Sequence, residues 1–248
     1  MTATHFDRVA TSYQTLWSDT PAGEMQREAV WRRIDPLFSA GSQILDIGCG
    51  TGDDALALQM RGARVTGIDV SPEMIRIARG RGVDASVRRA QDLGTLQGSF
   101  DGVLSNFGAL NCVENLARLR EPLARLTQPG GWLAICLLGR ICAWETAWYL
   151  LRGDLARATR RWSGEAASSL SRRVFYPTIE GVRRAFAPDF ALHSWHGIGL
   201  TVPPSYVTGL STSTIRRLAN LDRRLASLPL IRVFSDHRLL LFRKAPPC

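Results

Sequence analysis

A glycine-rich stretch between an apolar strand and a helix constrains the fold of this chain more than any other feature. Residues 44–47 form a β-branched run typical of a buried strand, and the chain from Ala55 onward has the composition of a helix. The turn between them carries Gly48, Gly50 and Gly52. Glycine permits positive φ angles and lets a ligand approach the backbone closely. The pattern therefore predicts a nucleotide-binding turn between a strand and a helix.

An acidic residue follows at the distance that such a turn requires. A second predicted strand ends at Asp69, which lies 69 − 48 = 21 residues after the first glycine, where an acid binds ribose hydroxyls. The third glycine comes one residue too early for the dinucleotide fingerprint. Asp53 and Asp54 open the helix where a diphosphate would lie, and they would repel it. We therefore expect a ligand with a cationic group; the alternative is that both carboxylates only cap the helix.

Three further motifs follow in order, namely Val65 to Met74, Phe100 to Asn106 and Pro129 to Trp132. Together with residues 44–52 they resemble the successive motifs of class I S-adenosylmethionine-dependent methyltransferases, over about residues 40–138. The resemblance is to the small-molecule type, including quinone and secondary-metabolite enzymes. It implies an α/β fold with a doubly wound, seven-stranded, mostly parallel Rossmann-like sheet and a helical insert capping the active site. It also implies S-adenosyl-L-methionine as donor, S-adenosyl-L-homocysteine as product, and no metal.

The resemblance assigns one set of residues to the cofactor, with Asp92 accepting a hydrogen bond from the adenine amino group and Leu93 packing on the ring. A solvated loop position is the alternative for Asp92. Tyr13 and Trp17 are expected over the site or, alternatively, as anchors of an N-terminal helix. The assigned cofactor residues are Tyr13, Asp46, Gly48, Cys49, Gly50, Gly52, Asp69, Val70, Met74, Gln91, Asp92, Leu93 and Asn106.

The chain is interpreted as a single methyltransferase domain of residues 1–248. Apolar residues at helical spacing predict helices over residues 113–127 and from Ala143 to about Trp162, and residues 163–173 are expected to form a loop or lid. The expected parts are an N-terminal helical segment over the cofactor (1–40), a cofactor-binding core (41–138), a helical cap (139–190), and C-terminal strands and a helix (191–248).

Methyl transfer from a sulfonium is an in-line displacement, so alignment matters most, and a base is needed only for a protonated acceptor. The candidate catalytic residues are His196, Glu145 and Tyr206. His193 and His196 lie three residues apart in a predicted strand, so only one of them is expected to face the site. The expected acceptor-binding residues are Trp17, Asn111, Trp144 and Trp148.

The net charge of +9 is concentrated in the C-terminal part, where residues 140–248 carry 17 basic and 7 acidic side chains. This excess leaves open an RNA methyltransferase as the first alternative, although RNA-binding modules are not visible and nucleic acid is not expected. Peripheral membrane contact also stays open. The second alternative is an NAD-type nucleotide-binding oxidoreductase. The five cysteines include no C-x-x-C pair, which predicts free thiols. The first segment shows no leader pattern, which predicts a cytoplasmic protein. The sequence does not indicate an oligomeric state.

Overall fold

The computed structural model describes residues 5–167 and 173–245. Seven strands form one sheet in the order β3-β2-β1-β4-β5-β9-β8, and a two-stranded sheet pairs β6 with β7. All neighbours in the large sheet are parallel except around β9, which runs antiparallel to β5 and β8. The strands are β1 (Gln43–Ile47), β2 (Arg64–Asp69), β3 (Asp84–Val87), β4 (Phe100–Ser105), β5 (Thr127–Leu138), β6 (Glu165–Ala167), β7 (Arg173–Phe175), β8 (Phe190–Ile198) and β9 (His237–Lys244).

Helices cover both faces of the large sheet, which confirms the predicted doubly wound α/β fold. On β1, Leu45 and Ile47 enter one apolar cluster and Ile44 enters the other, as the two-residue period of a strand requires. The helices are α1 (His5–Tyr13), α2 (Pro21–Ile34), α3 (Asp53–Met60), α4 (Pro72–Gly80), α5 (Arg120–Leu126), α6 (Ala143–Leu150), α7 (Leu155–Thr159), α8 (Ile179–Phe186) and α9 (Thr212–Leu225). None of the helices in the described ranges is long and apolar enough to cross a bilayer.

Two predicted helices are shorter than the sequence pattern suggested. The helix expected over 113–127 is a 3₁₀ turn (Leu116–Leu119) followed by α5, because Pro122 lacks the N–H that an α-helix would use to bond back to residue 118. The helix expected from Ala143 is divided into α6 and α7. Gly153 between them adopts a φ of 72°, and the Asp154 side chain caps α7 by accepting from the Arg157 N–H at 2.9 Å.

The insert after β5 also differs from a purely helical cap. Part of the expected loop over 163–173 forms the strands β6 and β7, while residues 168–172 lie outside the described residues. Helix α8 belongs to the core, since Val182 and Phe186 are buried in the same apolar cluster as α5. The cap therefore consists of α6, α7 and the β6–β7 pair.

A bulge in β8 changes the expected faces of the two histidines. The pairing with β9 shifts between Leu192 and Ser194, so His193 is the extra residue. As a result, Leu192 and Trp195 both pack on the α5–α8 cluster, and His193 and His196 share the opposite face. The prediction that they face opposite sides was wrong, because it assumed uninterrupted alternation.

Candidate active site

The carboxyl ends of the parallel strands open onto one cavity of about 840 Å³. This is the edge where ligands of open α/β sheets bind, and the volume is within the usual range for ligand sites. The glycine turn after β1 forms one side of the cavity. The cap forms the other side through Arg160, Arg161 and the segment from Arg173 to Tyr176. Residues of the N-terminal segment, including Tyr13 and Trp17, line it as well.

The glycine turn leaves its backbone bare on the cavity side. Gly48 and Gly50 have φ angles of 76° and 54°, in the left-handed region. A Cβ on Gly48 would lie 2.2 Å from the Cβ of Ala109, whereas a Cβ on Gly50 would meet no described atom within 4 Å. The turn is tied to β2 because the N–H groups of Gly48 and Cys49 both donate to the Ile68 carbonyl, at 2.7 and 3.0 Å.

Asp69 ends β2 directly beside this turn and lines the cavity. Its carboxylate accepts from the Gly50 N–H at 3.1 Å and from the Ser71 N–H at 2.8 Å. Burial raises the pKa of Asp69, and these backbone donors partly oppose that shift. The carboxylate is thus held rigidly with its remaining lone pairs available to hydroxyl donors.

Asp53 and Asp54 do not face the cavity as free carboxylates. Asp54 accepts from Arg27 at 2.7 Å, from the Trp31 indole at 2.8 Å and from the Asn106 amide at 3.1 Å. Asp53 accepts from Arg81 at 2.6 Å. Both carboxylates are therefore already paired with side chains of the protein, and they do more than cap α3. They tie α2 to the glycine turn, because Arg27 and Trp31 belong to that helix.

The local charge is nevertheless negative. Burial raises the pKa of Asp46, as does the neighbouring Asp54 charge. Asp53, Asp54 and Asp69 surround the turn, against the guanidiniums of Arg27 and Arg81, while Arg88 and Arg89 line the cavity beside Gln91. The negative excess at the turn still disfavours a diphosphate and favours a cationic group.

The predicted cofactor residues divide into two groups. Asp46 lies beneath the turn, Cys49 lines a small neighbouring pocket, Gly52 starts α3, Asp92 is exposed, and Leu93 is fully buried in the apolar core. These five do not line the main cavity because they face the core, the next turn or the solvent. Those that line it are Tyr13, Gly48, Gly50, Asp69, Val70, Met74, Gln91 and Asn106.

Glu145 on α6 is the centre of a buried ion-pair network rather than an open base. It accepts from both Arg160 and Arg161 in a bidentate manner at 2.7–2.9 Å, and from the Tyr206 hydroxyl at 2.7 Å. Burial alone would raise the pKa of Glu145, but the two arginines outweigh it and hold the pKa at about 2. Burial, followed by the Glu145 charge, raises the pKa of Tyr206 far above its usual value. Neither group is therefore placed to remove a proton near neutral pH.

The remaining predicted acceptor-side residues mostly lie away from the cavity. Of the expected acceptor-binding residues, only Trp17 lines it. Asn111 instead joins the cap to β5, donating to the Phe175 carbonyl at 2.6 Å and accepting from the Leu138 N–H at 2.9 Å. Trp144 donates to the Thr201 carbonyl at 2.9 Å, and Trp148 stacks under Arg152 at 3.3 Å. His196, on the far side of β9, does not line the cavity either.

Three further residues that the sequence did not single out, Phe107, Asp236 and His237, also line the cavity. Phe107 has a φ of 45°, the only non-glycine residue with positive φ in the described chain, and such strain concentrates at functional sites. One signal could have found His237. It directly precedes a predicted closing strand, and an antiparallel strand begins at the edge where its parallel neighbours end.

Comparisons with known proteins agree with this arrangement. Residues 45–135 match the model of a family described as methyltransferase domain. A ubiquinone biosynthesis O-methyltransferase of Xanthomonas oryzae pv. oryzae is 36% identical over 113 residues, covering 42% of this chain and 46% of that protein. A demethylmenaquinone methyltransferase of Tropheryma whipplei is 35% identical over 146 residues, covering 53% and 56%. This chain thus spans about half the length of the curated relatives that it matches.

The whole fold is also known from solved structures. The crystal structure of an S-adenosylmethionine-dependent methyltransferase from Mesorhizobium loti superposes with a TM-score of 0.60 over 89% of this chain and 98% of that one, at 22% identity. At this identity the likeness shows the fold. Residues 45–135 thus match a methyltransferase domain within a chain that has the fold of S-adenosylmethionine-dependent methyltransferases, which agrees with the resemblance drawn from its motifs.

Proposed function

We propose that this protein transfers a methyl group from S-adenosyl-L-methionine to a small, partly apolar organic acceptor. The observation that carries the proposal is the cavity itself, in which a bare glycine turn and a fixed ribose-type carboxylate share one volume with an aromatic compartment under the cap. When bound, the donor supplies an electrophilic methyl group on a sulfonium.

The donor half of the cavity fits this cofactor. The bare backbone at Gly48 and Gly50 admits close approach, and the Asp69 carboxylate is available to accept from two ribose hydroxyls. Val70 and Met74 offer apolar contact, and Gln91 offers a neutral hydrogen-bonding amide at the same end. The negative excess around the turn favours the ammonium and sulfonium charges of this donor over the diphosphate of NAD.

The acceptor half is lined by aromatic side chains from four separate segments of the chain: Trp17, Phe107, Phe175, Tyr176 and Tyr206. Such walls bind flat, partly apolar molecules and exclude water from the transfer. Two curated relatives are named for ubiquinone biosynthesis and for demethylmenaquinone, which supports a ring compound of moderate size as the acceptor.

Catalysis on this proposal depends mainly on positioning. Holding two reactants in line can lower a barrier by up to roughly 7–11 kcal/mol in favourable cases. The rigid parts for this task are present, since the glycine turn is fixed to β2, and buried ion pairs join Arg161 to Glu145 within the cap and to Asp236 just before β9.

Isothermal titration calorimetry tests the donor site directly. The purified protein should bind S-adenosyl-L-homocysteine and not NAD. Asp69→Ala should weaken that binding by roughly a hundredfold, because two hydrogen bonds to a charged acceptor at roughly 1.5 kcal/mol each are lost. Asp84→Ala, an exposed change on the neighbouring strand, is the matched control and should bind normally. Binding of NAD instead would support the oxidoreductase alternative and refute the proposal.

A further inference from the structure

A histidine and an aspartate meet at the first residue of β9, on the acceptor side of the cavity. The His237 Nδ1 lies 3.3 Å from the Asp236 Oδ2, and both side chains are buried. The other Asp236 oxygen, Oδ1, accepts from the Arg161 guanidinium at 2.9 Å. Arg161 also donates to the Asp236 backbone carbonyl at 3.2 Å. The carboxylate is therefore fixed from the cap side, and its second oxygen lies within ion-pair distance of Nδ1 but outside the geometry of a hydrogen bond.

The imidazole is placed where an acceptor must sit. His237 pairs with Leu138 at the end of β5, and both residues line the cavity. Its ring makes an edge contact with the ring of Phe107 at a centroid distance of 5.2 Å, and Phe107 directly follows Asn106 of the donor site. Since Nδ1 lies beside the Asp236 carboxylate, Nε2 is the ring nitrogen that we assign to the acceptor.

The surrounding charges keep this imidazole ready to accept a proton. Burial is the largest influence on the pKa of His237 and lowers it; Asp236 opposes the shift and Arg161 reinforces it. The net shift is downward, so the ring is neutral near pH 7. A proton arriving on Nε2 would then be stabilised by the adjacent Asp236 carboxylate. This is the arrangement that a general base requires: neutral at rest, and stabilised when charged.

We propose that His237 is the general base of this enzyme, that Asp236 positions it, and that the acceptor is a hydroxyl compound such as a phenol or enol. This inference rests on the proposed methyl transfer and narrows it to O-methylation. As the acceptor oxygen forms its bond to the methyl carbon, the carbon–sulfur bond breaks and its electron pair stays on sulfur. The hydroxyl proton passes to Nε2 of His237 and later leaves to solvent.

The other titratable groups considered for this role are unsuited to it. Glu145 is saturated by two arginines and Tyr206, and its pKa of about 2 makes it a very weak base. His193 stacks edge-on against Trp132 at 5.2 Å, and neither it nor His196 lines the cavity. An amine acceptor depends less on such a base because a neutral amine is a better nucleophile than a phenol. A thiol acceptor depends less on it because a thiol ionises more readily than a phenol.

The first test observes the imidazole itself, without turnover. Histidine side-chain nitrogen NMR on the purified protein should show His237 neutral at pH 7 with its proton on Nδ1, and His237→Asn identifies its signal by removing it. Asp236→Asn should change the tautomer or raise the share of the Nε2-protonated form. A His237 that is protonated at pH 7, or that carries its proton on Nε2 in the native protein, would overturn the proposal.

The second test separates a base from a structural residue. The probes are catechol and 4-nitrocatechol at pH 8, since the nitro compound is already ionised and needs no base, together with aniline as a nitrogen acceptor. His237→Asn should lower turnover of catechol about a hundredfold or more and that of 4-nitrocatechol only a few-fold. The matched control His193→Asn, a histidine outside the cavity, should leave both rates unchanged.

The outcomes are distinguishable from failure of the methyltransferase proposal. Calorimetry with S-adenosyl-L-homocysteine should give the same affinity for the native protein and for His237→Asn. Equal losses on both phenols would indicate a structural role and overturn the inference. A native protein that binds S-adenosyl-L-homocysteine, yet methylates aniline alone or none of the three probes, would also overturn it while leaving the donor site established. Absence of that binding would refute the methyl-transfer proposal and this inference with it.

Discussion

Replacing Glu145 by glutamine should destabilise the protein strongly, because the substitution removes the only carboxylate that both Arg160 and Arg161 share. The Glu145 side chain is 2% exposed, so solvent does not screen the loss. Its pKa is about 2 in the folded protein against an ordinary value of 4.5. At about 1.36 kcal/mol per pKa unit, this difference corresponds to a stabilisation of about 3 kcal/mol at pH 7.

The sign of the pH dependence follows from the lowered pKa. The stabilisation is complete above pH 4.5 and is lost progressively as the pH falls toward 2, because the unfolded chain takes up its proton first. The gap in unfolding free energy between native protein and Glu145→Gln should therefore shrink from about 3 kcal/mol at pH 7 to about 2 kcal/mol at pH 3.5.

Urea titration and thermal unfolding measure this gap. A loss of about 3 kcal/mol should lower the melting temperature by about 6–12 °C in a domain of this size. Glu165→Gln is the matched control in the same cap, since its ion pair with Arg173 is at least half exposed and should contribute under about 1 kcal/mol. An equal effect of the two substitutions at pH 7, or a gap that does not change between pH 7 and 3.5, would refute the reasoning.

Two further substitutions test the donor side. Gly48→Ala should abolish S-adenosyl-L-homocysteine binding, because the φ of 76° is strained for alanine and its Cβ would lie 2.2 Å from that of Ala109. Gly80→Ala is the control, since a Cβ there would meet no described atom within 4 Å. Equal calorimetric affinity of the two variants would contradict this prediction. Arg27→Ala should cost about 3–5 kcal/mol of stability and speed proteolytic cleavage before residue 21, because it leaves Asp54 buried with a lost ion pair. Arg32→Ala removes only an exposed pair with Glu28 on the same helix, and indistinguishable cleavage rates would argue against the role of Arg27.

Local patterns predicted the secondary structure around the glycine turn, because its determinants are close in sequence. β1 follows from the β-branched apolar run at residues 44–47, and the start of α4 follows from Ser71 and Pro72, with the Ser71 side chain accepting from the Met74 N–H at 3.2 Å. The seven-stranded, mostly parallel sheet was implied by the resemblance to class I methyltransferases. Asp69, Gly48 and Gly50 line the cavity.

The cap side of the cavity could not be predicted in the same way, because its contacts join distant residues. Arg161 reaches Asp236 across 75 residues, and even beside the glycine turn Arg27 pairs with Asp54 across 27. No periodicity signals such pairs. The bulge at His193 also has no local marker in the sequence, and it reverses the side of the sheet to which the neighbouring side chains point.

The interior place of β9 sets an order of assembly for the sheet. β8 comes earlier in the chain, but it joins the other strands through β9, so its edge cannot be closed until the later segment has been made and inserted. Such distant pairing is slow, since the entropy of closing a long loop is lost before the new contacts stabilise the sheet. During synthesis β5 and β8 therefore keep unpaired edges until β9 has been made. A chaperone that covers these edges should raise the yield of folded protein more than one that binds the first half of the chain.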